Sequence, residues 1–215
     1  MLEIERKILG INVRDLCKKI ENLGASGKLK VKKTFEGLVR INYFDFDNGR
    51  IRAKKDLLRV REFVPMPQAL PPLKNTIVDA HQTLTYTELV YKTYGGIKDG
   101  SKVFDECEIG IPQSLAKMTG DTTAETLKLF LEKLGLKRVV YYEKKRTHYD
   151  CGSFKCEIDE HPKVEPFVEI EAQSAVEIDH AIEVLELKGF EQTPETISEL
   201  LERKYKPLTL SDLIF

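Results

Sequence analysis

The sequence has no long apolar run and no excess of positive charge. No apolar stretch approaches the roughly 18 residues of a membrane-spanning helix, and residues 1–7 lack the apolar stretch of a secretory signal peptide. The 34 basic and 35 acidic residues give a net charge of −1, whereas general nucleic-acid binders carry a clear basic excess. We therefore expect a cytoplasmic protein that binds neither nucleic acid nor membranes.

Signatures of metal-thiolate and covalent chemistry are also missing. The cysteines show no spacing typical of a zinc site, so reduced structural thiols are expected, with disulfides or a zinc site as the alternative. The four histidines form no H-E-x-x-H motif. No Ser-His-Asp or Cys-His arrangement is legible, so the sequence does not support covalent catalysis. The cysteines are Cys17, Cys107, Cys151 and Cys156.

The remaining pattern is one of many short strands between four amphipathic helices. Helices are predicted at about 13–23, 122–135 and 174–189, and a fourth is predicted with Thr193 as its cap and Pro194 at its first position. We expect one domain over residues 1–206, with a loop insertion at 65–81 and a C-terminal tail at 207–215. Strands are predicted at about 2–9, 29–46, 50–63, 82–94, 103–110, 137–149, 154–160 and 165–172.

Charged residues alternate with apolar ones along these strands, and like charges fall two residues apart. Residues on one face of a strand are about 6.5–7 Å apart, so such pairs repel, and a merely solvated face would gain more from mixed signs. Pairs of carboxylates are suited to binding a divalent cation, and pairs of arginines are suited to binding phosphate oxygens. The pattern therefore favours a site that binds both a metal ion and a phosphate. The segments begin with Glu3, Glu5 and Lys7 and continue with Arg50/Arg52, Arg59/Arg61, Glu106/Glu108, Lys144/Arg146, Glu157/Asp159 and Glu169/Glu171.

The architecture follows from which strand face lies inside. The amphipathic helices can cover the apolar faces, and the charged faces then point at one another across a closed sheet. The expected fold class is α+β, with an eight-stranded antiparallel β-barrel whose lumen is charged and whose outside is covered by helices. The alternative is an open sheet with one wet face.

The E-x-E-x-K motif at residues 3–7 resembles the signature of the CYTH superfamily, also called triphosphate tunnel metalloenzymes. This superfamily includes class IV adenylyl cyclases, thiamine triphosphatases and inorganic triphosphatases. Further similarities follow in chain order: Asn42-Tyr43-Phe44-Asp45 resembles the Y-F-D turn, Leu58-Arg59-Val60-Arg61 the L-R-x-R strand, Lys92 the strand lysine, Glu106 with Glu108 the central E-x-E, Lys144-Lys145-Arg146 the K-x-R strand, Asp159 the late aspartate, and Phe167-Val168-Glu169-Ile170-Glu171 the closing F-x-E-I-E.

The resemblance implies a role for each matching residue. It places one or two divalent ions, Mg²⁺ or Mn²⁺, on Glu3, Glu5, Glu169 and Glu171, with Asp159 binding metal or orienting a water. It places triphosphate oxygens on Lys7, Arg59, Arg61, Lys92, Lys144 and Arg146. Glu106 and Glu108 are possible further metal ligands or set the electrostatics of the basic residues. The residues expected to be catalytic are Glu5, Lys7 and Asp159.

Three functions remain open at this stage. The first is a metal-dependent hydrolase of an inorganic, nucleoside or organic triphosphate. The second is a class IV adenylyl cyclase that forms cyclic AMP and pyrophosphate, and the third is a non-catalytic binder of triphosphate or polyphosphate. A homodimer is expected by analogy with class IV cyclases.

The sequence also departs from the family pattern. The common threonine after Y-F-D is replaced by Phe46, and Ile41 stands at a position that is often acidic in the family. For the family's C-terminal lysine, Lys204 is only a candidate. The chain has no tryptophan, so the tryptophan that stacks on thiamine in vertebrate thiamine triphosphatases is missing. These departures bear on the identity of the substrate more than on triphosphate binding.

Overall fold

The computed structural model describes residues 2–66, 85–112 and 123–215. The core of the fold is an antiparallel sheet that closes on itself, as predicted. Its elements are, in chain order, β1 (Leu2–Leu9), α1 (Val13–Ala25), β2 (Lys32–Asp45), β3 (Leu57–Pro65), β4 (Tyr86–Lys98), β5 (Ser101–Pro112), α2 (Thr123–Lys133), β6 (Lys137–Asp150), β7 (Phe154–Glu160), β8 (Phe167–Ala172), α3 (Ala175–Val184), β9 (Gln192–Thr193) and α4 (Ile197–Lys204).

The barrel closes because β1 pairs on both of its edges. The strand order is β5-β4-β3-β2-β6-β7-β8-β1, and β1 returns to pair with β5. On one edge Glu5 lies opposite Glu171 of β8, and on the other Glu5 lies opposite Lys102 of β5. The two-residue strand β9 continues the second edge by pairing with Lys7 and Ile8. Eight strands of the described residues therefore form the closed barrel, and β9 is an addition.

The pairing register carries the charged residues to the inside. Arg61 lies opposite Glu88 of β4, Arg146 lies opposite Asp159 of β7, and Lys7 lies opposite Glu169 of β8. Paired residues point to the same face of a sheet, so charges on different strands meet within one lumen.

The helices cover the outer, apolar face of the barrel. α1 begins at the cap residue Asn12, whose side chain accepts a hydrogen bond from the Asp15 amide, and it buries Leu16 and Ile20. α3 begins at Ser174, which caps the Glu177 amide. Both helices pack on the outward residues of β1, β7 and β8, including Ile8, and form the largest hydrophobic cluster. The predicted cap Thr122 of α2 lies outside the described residues.

Two predicted element boundaries were wrong. Residues 50–56 form a short loop with a single turn of 3₁₀ helix at Arg52–Lys54, so Arg50 and Arg52 belong to no strand. The Asp45 carboxylate organises this loop by accepting hydrogen bonds from the backbone amides of Phe46, Ile51 and Arg52, at 2.7, 3.0 and 3.0 Å. The helix α4 is capped by Thr196 rather than Thr193, through a capping box with Glu199.

The C-terminal residues 207–215 pack against the barrel. Leu213 is fully buried, and its carbonyl accepts a hydrogen bond of 2.8 Å from the Glu143 amide. Most of the predicted 65–81 insertion, from residue 67 onward, lies outside the described residues. All four cysteines carry free thiols. Among the described helices, none combines the length and apolarity needed to cross a bilayer.

Candidate functional site

The lumen holds a cavity of about 560 Å³, a volume that includes its opening. Its wall is mostly charged, and the first turn of α4 contributes Thr196 and Ile197 to one end of it. The charged side chains in the wall are Glu5, Lys7, Arg59, Lys92, Lys144, Arg146, Glu157, Asp159, Glu169 and Glu171.

Three carboxylates converge at the start of β1 and the end of β8. Glu3, Glu5 and Glu171 each offer an oxygen atom within 4.8 Å of the others. Burial raises the pKa of Glu5, and the Glu169 carboxylate raises it further. Burial also raises the pKa of Glu171 well above its ordinary value, with Glu157 and Glu3 adding to the shift. Three lysines also reach this cluster, because Lys92 pairs with Glu3, Lys7 lies 3.9 Å from Glu5, and Lys155 lies 3.8 Å from Glu171.

In a second group of acidic residues, every carboxylate contacts a lysine or arginine side chain. Both oxygens of the buried Asp159 accept hydrogen bonds of 2.7 Å from Arg146, and Lys144 donates to Asp159 at 2.7 Å. Arg146 also contacts Glu169 at 3.3 Å and forms an ion pair with Glu157. Burial opposes ionisation of Glu157, but Arg146, His148 and Lys144 outweigh it and lower the pKa of Glu157 to about 2.

Lys7 connects the two acidic groups, whereas Lys92 contacts the first group only. Lys7 forms an ion pair with Glu169, and its ammonium nitrogen lies 3.9 Å from Glu5. Burial also opposes ionisation of Glu169, but Lys7, Lys144 and Arg146 hold its pKa well below the ordinary value. Lys92 forms an ion pair with Glu3 and lies 3.8 Å from Glu5.

Arg61 lies apart from the cavity wall. Its guanidinium contacts Glu88 at 2.7 Å and Glu108 at 2.9 Å, and Glu106 is 4.0 Å away. Lys92 also approaches Glu106, at 3.2 Å. Glu106 and Glu108 thus contact cations.

Arg59 differs from the other five predicted phosphate-binding cations. Within the described part of the chain, no carboxylate lies at ion-pair distance from it, and its Nε atom is buried without a hydrogen-bond partner. Burial opposes the charge of Arg59, but Tyr43, Tyr142 and the Glu106 carboxylate outweigh it and raise its pKa. Arg59 is therefore a buried cation of the cavity wall that is not paired directly with a carboxylate.

The structure brings most of the predicted residues into one lumen but in separate groups. Glu3, Glu5 and Glu171 form the carboxylate cluster, whereas Glu169 and Asp159 contact cations. The predicted lysine candidate, Lys204, lies outside the barrel and pairs with Glu165 and Glu191. The sequence patterns did not indicate that Glu88, Lys102, Tyr43, Tyr142 or His161 belong to the lumen, and they indicated Glu157 only through its charge pair with Asp159.

The carboxylate cluster fits a hard divalent cation. Mg²⁺ and Mn²⁺ take oxygen ligands, and three carboxylates supply them from Glu3, Glu5 and Glu171. Burial and repulsion from neighbouring carboxylates raise the pKa values of Glu5 and Glu171, and a bound divalent cation would lower them. No cysteine or histidine belongs to this cluster.

A family model of the CYTH domain matches residues 1–203. The chain belongs to the CYTH family. The match covers every strand of the barrel and nearly all of α4, so the tunnel described above is the CYTH tunnel.

Solved structures with the same fold are distant in sequence from this CYTH protein. A protein of Pyrococcus horikoshii is 21% identical with a TM-score of 0.61, over 94% of this chain and 99% of that one. A Vibrio parahaemolyticus protein described as a candidate adenylate cyclase is 13% identical with a TM-score of 0.60, over 94% and 98%. A Hippeastrum protein, described as a candidate adenylyl cyclase with dominant triphosphatase activity, is 15% identical with a TM-score of 0.56, over 98% and 99%. The comparison with curated proteins gave no match.

Proposed function

We propose that this CYTH protein is a divalent-metal-dependent hydrolase of a triphosphate. The observation that carries the proposal is that a carboxylate cluster and a cation-lined wall share one lumen. Glu3, Glu5 and Glu171 offer oxygen atoms within 4.8 Å of one another, and Arg59, which no carboxylate of the described residues reaches at ion-pair distance, lines the cavity with other cations. A divalent cation would suit the first group and a polyphosphate anion the second.

The cations of the wall would bind the phosphate oxygens. Arg59 offers forked donors that match phosphate geometry, and Lys7, Lys92, Lys144 and Arg146 line the same cavity. Lys7, Lys92, Lys144 and Arg146 contact carboxylates, so a triphosphate would exchange with those carboxylates for the same donors. Arg59 would meet the phosphate without displacing an ion-paired carboxylate.

The carboxylate cluster would hold the metal. Glu3, Glu5 and Glu171 are the ligands that the structure brings together. The resemblance to CYTH enzymes adds Glu169 and Asp159 to the metal ligands, and that assignment stays a prediction. A bound Mg²⁺ or Mn²⁺ supplies charge neutralisation on the phosphoryl group and a water of lowered pKa. Lys7, which contacts Glu169 and lies near Glu5, would supply positive charge to the phosphate oxygens beside the carboxylates that would hold the metal.

A class IV adenylyl cyclase is the second candidate, because a structural neighbour with a TM-score of 0.60 is described as a candidate cyclase. The deciding experiment incubates the protein with inorganic triphosphate and, separately, with ATP, each with Mg²⁺ or Mn²⁺, and resolves the products. Release of orthophosphate supports the hydrolase. Cyclic AMP with pyrophosphate identifies a cyclase instead. Tight triphosphate binding without turnover identifies a binder.

The metal assignment has its own test in Glu5→Gln, which keeps the shape of the side chain and removes its charge. We expect metal-dependent turnover to fall at least about 100-fold and Mn²⁺ binding, measured by calorimetry without substrate, to weaken in parallel. Glu36→Gln on β2, an exposed glutamate, is the matched control and leaves both unchanged. Normal Mn²⁺ binding by Glu5→Gln would refute the assignment.

A further inference from the structure

Lys102 of β5 is a buried lysine whose neighbours line the cavity. It is 3% exposed and lies opposite Glu5 in the β1–β5 register, so the two side chains share the inner face of the barrel. Phe104, two residues further along the same face of β5, lines the cavity, as do Glu5 and Thr196 of α4. Since Lys102 also contacts Glu199 of α4, it lies beside the end of the cavity that α4 borders.

Only one carboxylate pairs with the ammonium group of Lys102, and the contact is long. Among the described residues, Glu199 is the sole carboxylate within ion-pair distance, at 3.3 Å. A strong hydrogen bond between an ammonium group and a carboxylate spans roughly 2.7–2.9 Å. Burial and the charge of Lys7 lower the pKa of Lys102, and Glu199 and Glu5 offset only part of that shift. Lys102 is therefore a buried cation with a weak counter-ion.

Glu199 has partners that would hold it in place without Lys102. The oxygen atom that contacts Lys102 also accepts hydrogen bonds from the Thr196 amide and hydroxyl, at 2.7 and 2.8 Å. The Glu199 side chain is 55% exposed, so water solvates its charge. Loss of the contact with Lys102 would therefore leave Glu199 capping α4.

The lysines that line the cavity have counter-ions that are harder to release. The carboxylates that pair with Lys7, Lys92 and Lys144 are at most 16% exposed. Removing the partner of such a group leaves a buried carboxylate uncompensated, whereas Glu199 keeps both water and its hydrogen bonds to Thr196. Of these four lysines, Lys102 would therefore exchange its carboxylate for a phosphate at the lowest cost.

We propose that Lys102 is a further phosphate-binding residue, which Glu199 holds beside the cavity until a phosphate oxygen replaces the carboxylate. The inference rests on the proposed triphosphate binding. It adds a cation from β5, the strand on which the sequence predicts only the carboxylates Glu106 and Glu108 as site residues. The exchange leaves the start of α4 intact, because Thr196 keeps its contacts with Glu199.

The affinity for inorganic triphosphate without metal tests the proposal, measured by calorimetry at about 0.15 M salt, where distant exposed charges are largely screened. Lys102→Met removes the cation, and we expect it to weaken binding about 10-fold, the size of one hydrogen bond to a charged group. Glu199→Gln removes the competing charge and keeps an oxygen for the cap of α4, so binding should tighten about 3-fold. The control is Lys98→Met, at an exposed lysine of the β4–β5 hairpin, and it leaves the affinity unchanged.

The opposite signs of the two effects separate a binding role from a structural one. If Lys102 and Glu199 only anchored α4, both variants would remove the same contact and change the affinity in the same direction. In the Lys102→Met background, Glu199→Gln should no longer tighten binding, because the cation that it releases is absent. Because Glu199 is largely exposed, Glu199→Gln gives a result even where Lys102→Met fails to fold.

Three results overturn the proposal. The first is unchanged affinity in Lys102→Met, the second is weaker or unchanged binding in Glu199→Gln, and the third is tightening that persists when both substitutions are combined. Failure of the unmodified protein to bind triphosphate would instead overturn the proposed function.

Discussion

Two arginines of the lumen differ in what surrounds their charge. Arg146 contacts Asp159, Glu157 and Glu169, whereas Arg59 has phenols as neighbours. Removing a buried cation is costly when it leaves carboxylates behind without a partner, and much less costly when it leaves only neutral groups.

This difference predicts that the same substitution changes the free energy of unfolding by different amounts at the two arginines. Arg146→Met should lower the free energy of unfolding by about 3–5 kcal/mol because it strands buried carboxylates. Arg59→Met should lower that free energy by less, about 1 kcal/mol, since no carboxylate at ion-pair distance loses its partner and only the longer-range attraction to Glu106 is removed. Urea denaturation without triphosphate measures both, and equal losses for the two variants would contradict the assignment of their surroundings.

At this scale the sequence predicts which residues share the face of one strand, but not which strands are neighbours. Alternation alone indicates that Arg59 and Arg61 share one strand face, and that Lys144 and Arg146 share another. Glu88 was missed because its pairing with Arg61 comes from the register of β3 on β4. Tyr43 was missed as a lumen residue for the same reason. It belongs to the Y-F-D resemblance, but it is uncharged and so was not part of the alternating charge pattern.

A sequence pattern also cannot predict whether a carboxylate contacts a lysine or arginine side chain or joins a cluster that could hold a metal ion. Glu169 and Glu171 are two residues apart on one strand face, yet Glu169 contacts Lys7 and Arg146 while Glu171 joins the carboxylate cluster. The two environments follow from the residues that lie opposite on β1. Glu171 lies beside Glu5 on β1, and Glu169 lies beside Lys7.

At the scale of elements, long alternating segments were predicted well and short ones were not. β1 and β7 have the predicted bounds, because seven or more alternating residues rarely fit another structure. Arg50-Ile51-Arg52 alternates over three residues only. A loop whose backbone amides donate hydrogen bonds to the Asp45 carboxylate accommodates these residues equally well. For α4, the glutamate three residues after Thr196 was the better cap signal, since Thr193 has no acidic residue at that spacing.

The start of α4 gives a prediction that belongs to this scale. The Glu199 carboxylate caps the Thr196 amide at 2.7 Å and also contacts Lys102, which is buried in the barrel, at 3.3 Å. Glu199→Ala should cost about 1–3 kcal/mol of unfolding free energy and speed amide hydrogen exchange in α4. Glu202→Ala on the same helix removes only an exposed contact of 3.7 Å with Lys206. It should change neither quantity, and equal effects of the two variants would argue against the contact with Lys102.

At the scale of the whole molecule, the lumen couples stability to pH. The pKa of Glu157 is lowered from 4.5 to about 2. A lowered carboxyl pKa contributes stability that is complete above the unfolded value of about 4.5 and is lost as pH falls toward 2. The raised pKa values of Glu5 and Glu171 act with the opposite sign, since their contribution is lost as pH rises.

Comparing the unmodified protein with Glu157→Gln isolates one of these contributions. We expect the difference in unfolding free energy between the two to be constant at neutral pH and to shrink as pH is lowered from about 4.5 toward 2. Urea denaturation at a series of pH values gives this difference directly. A difference that stays constant down to pH 3 would show that Glu157 is not held ionised by Arg146.

The paired charges inside the barrel make the lumen resemble an ion-exchange material. Carboxylates such as Asp159 contact the cations that a phosphate would need, so under the proposed function ligand binding would exchange one counter-ion for another. The released carboxylates would then become available to a divalent ion, and each ligand would raise the affinity for the other by the same factor. Behind a net charge of −1 for the whole chain, the selectivity of such a lumen would depend on what is displaced as much as on what is bound.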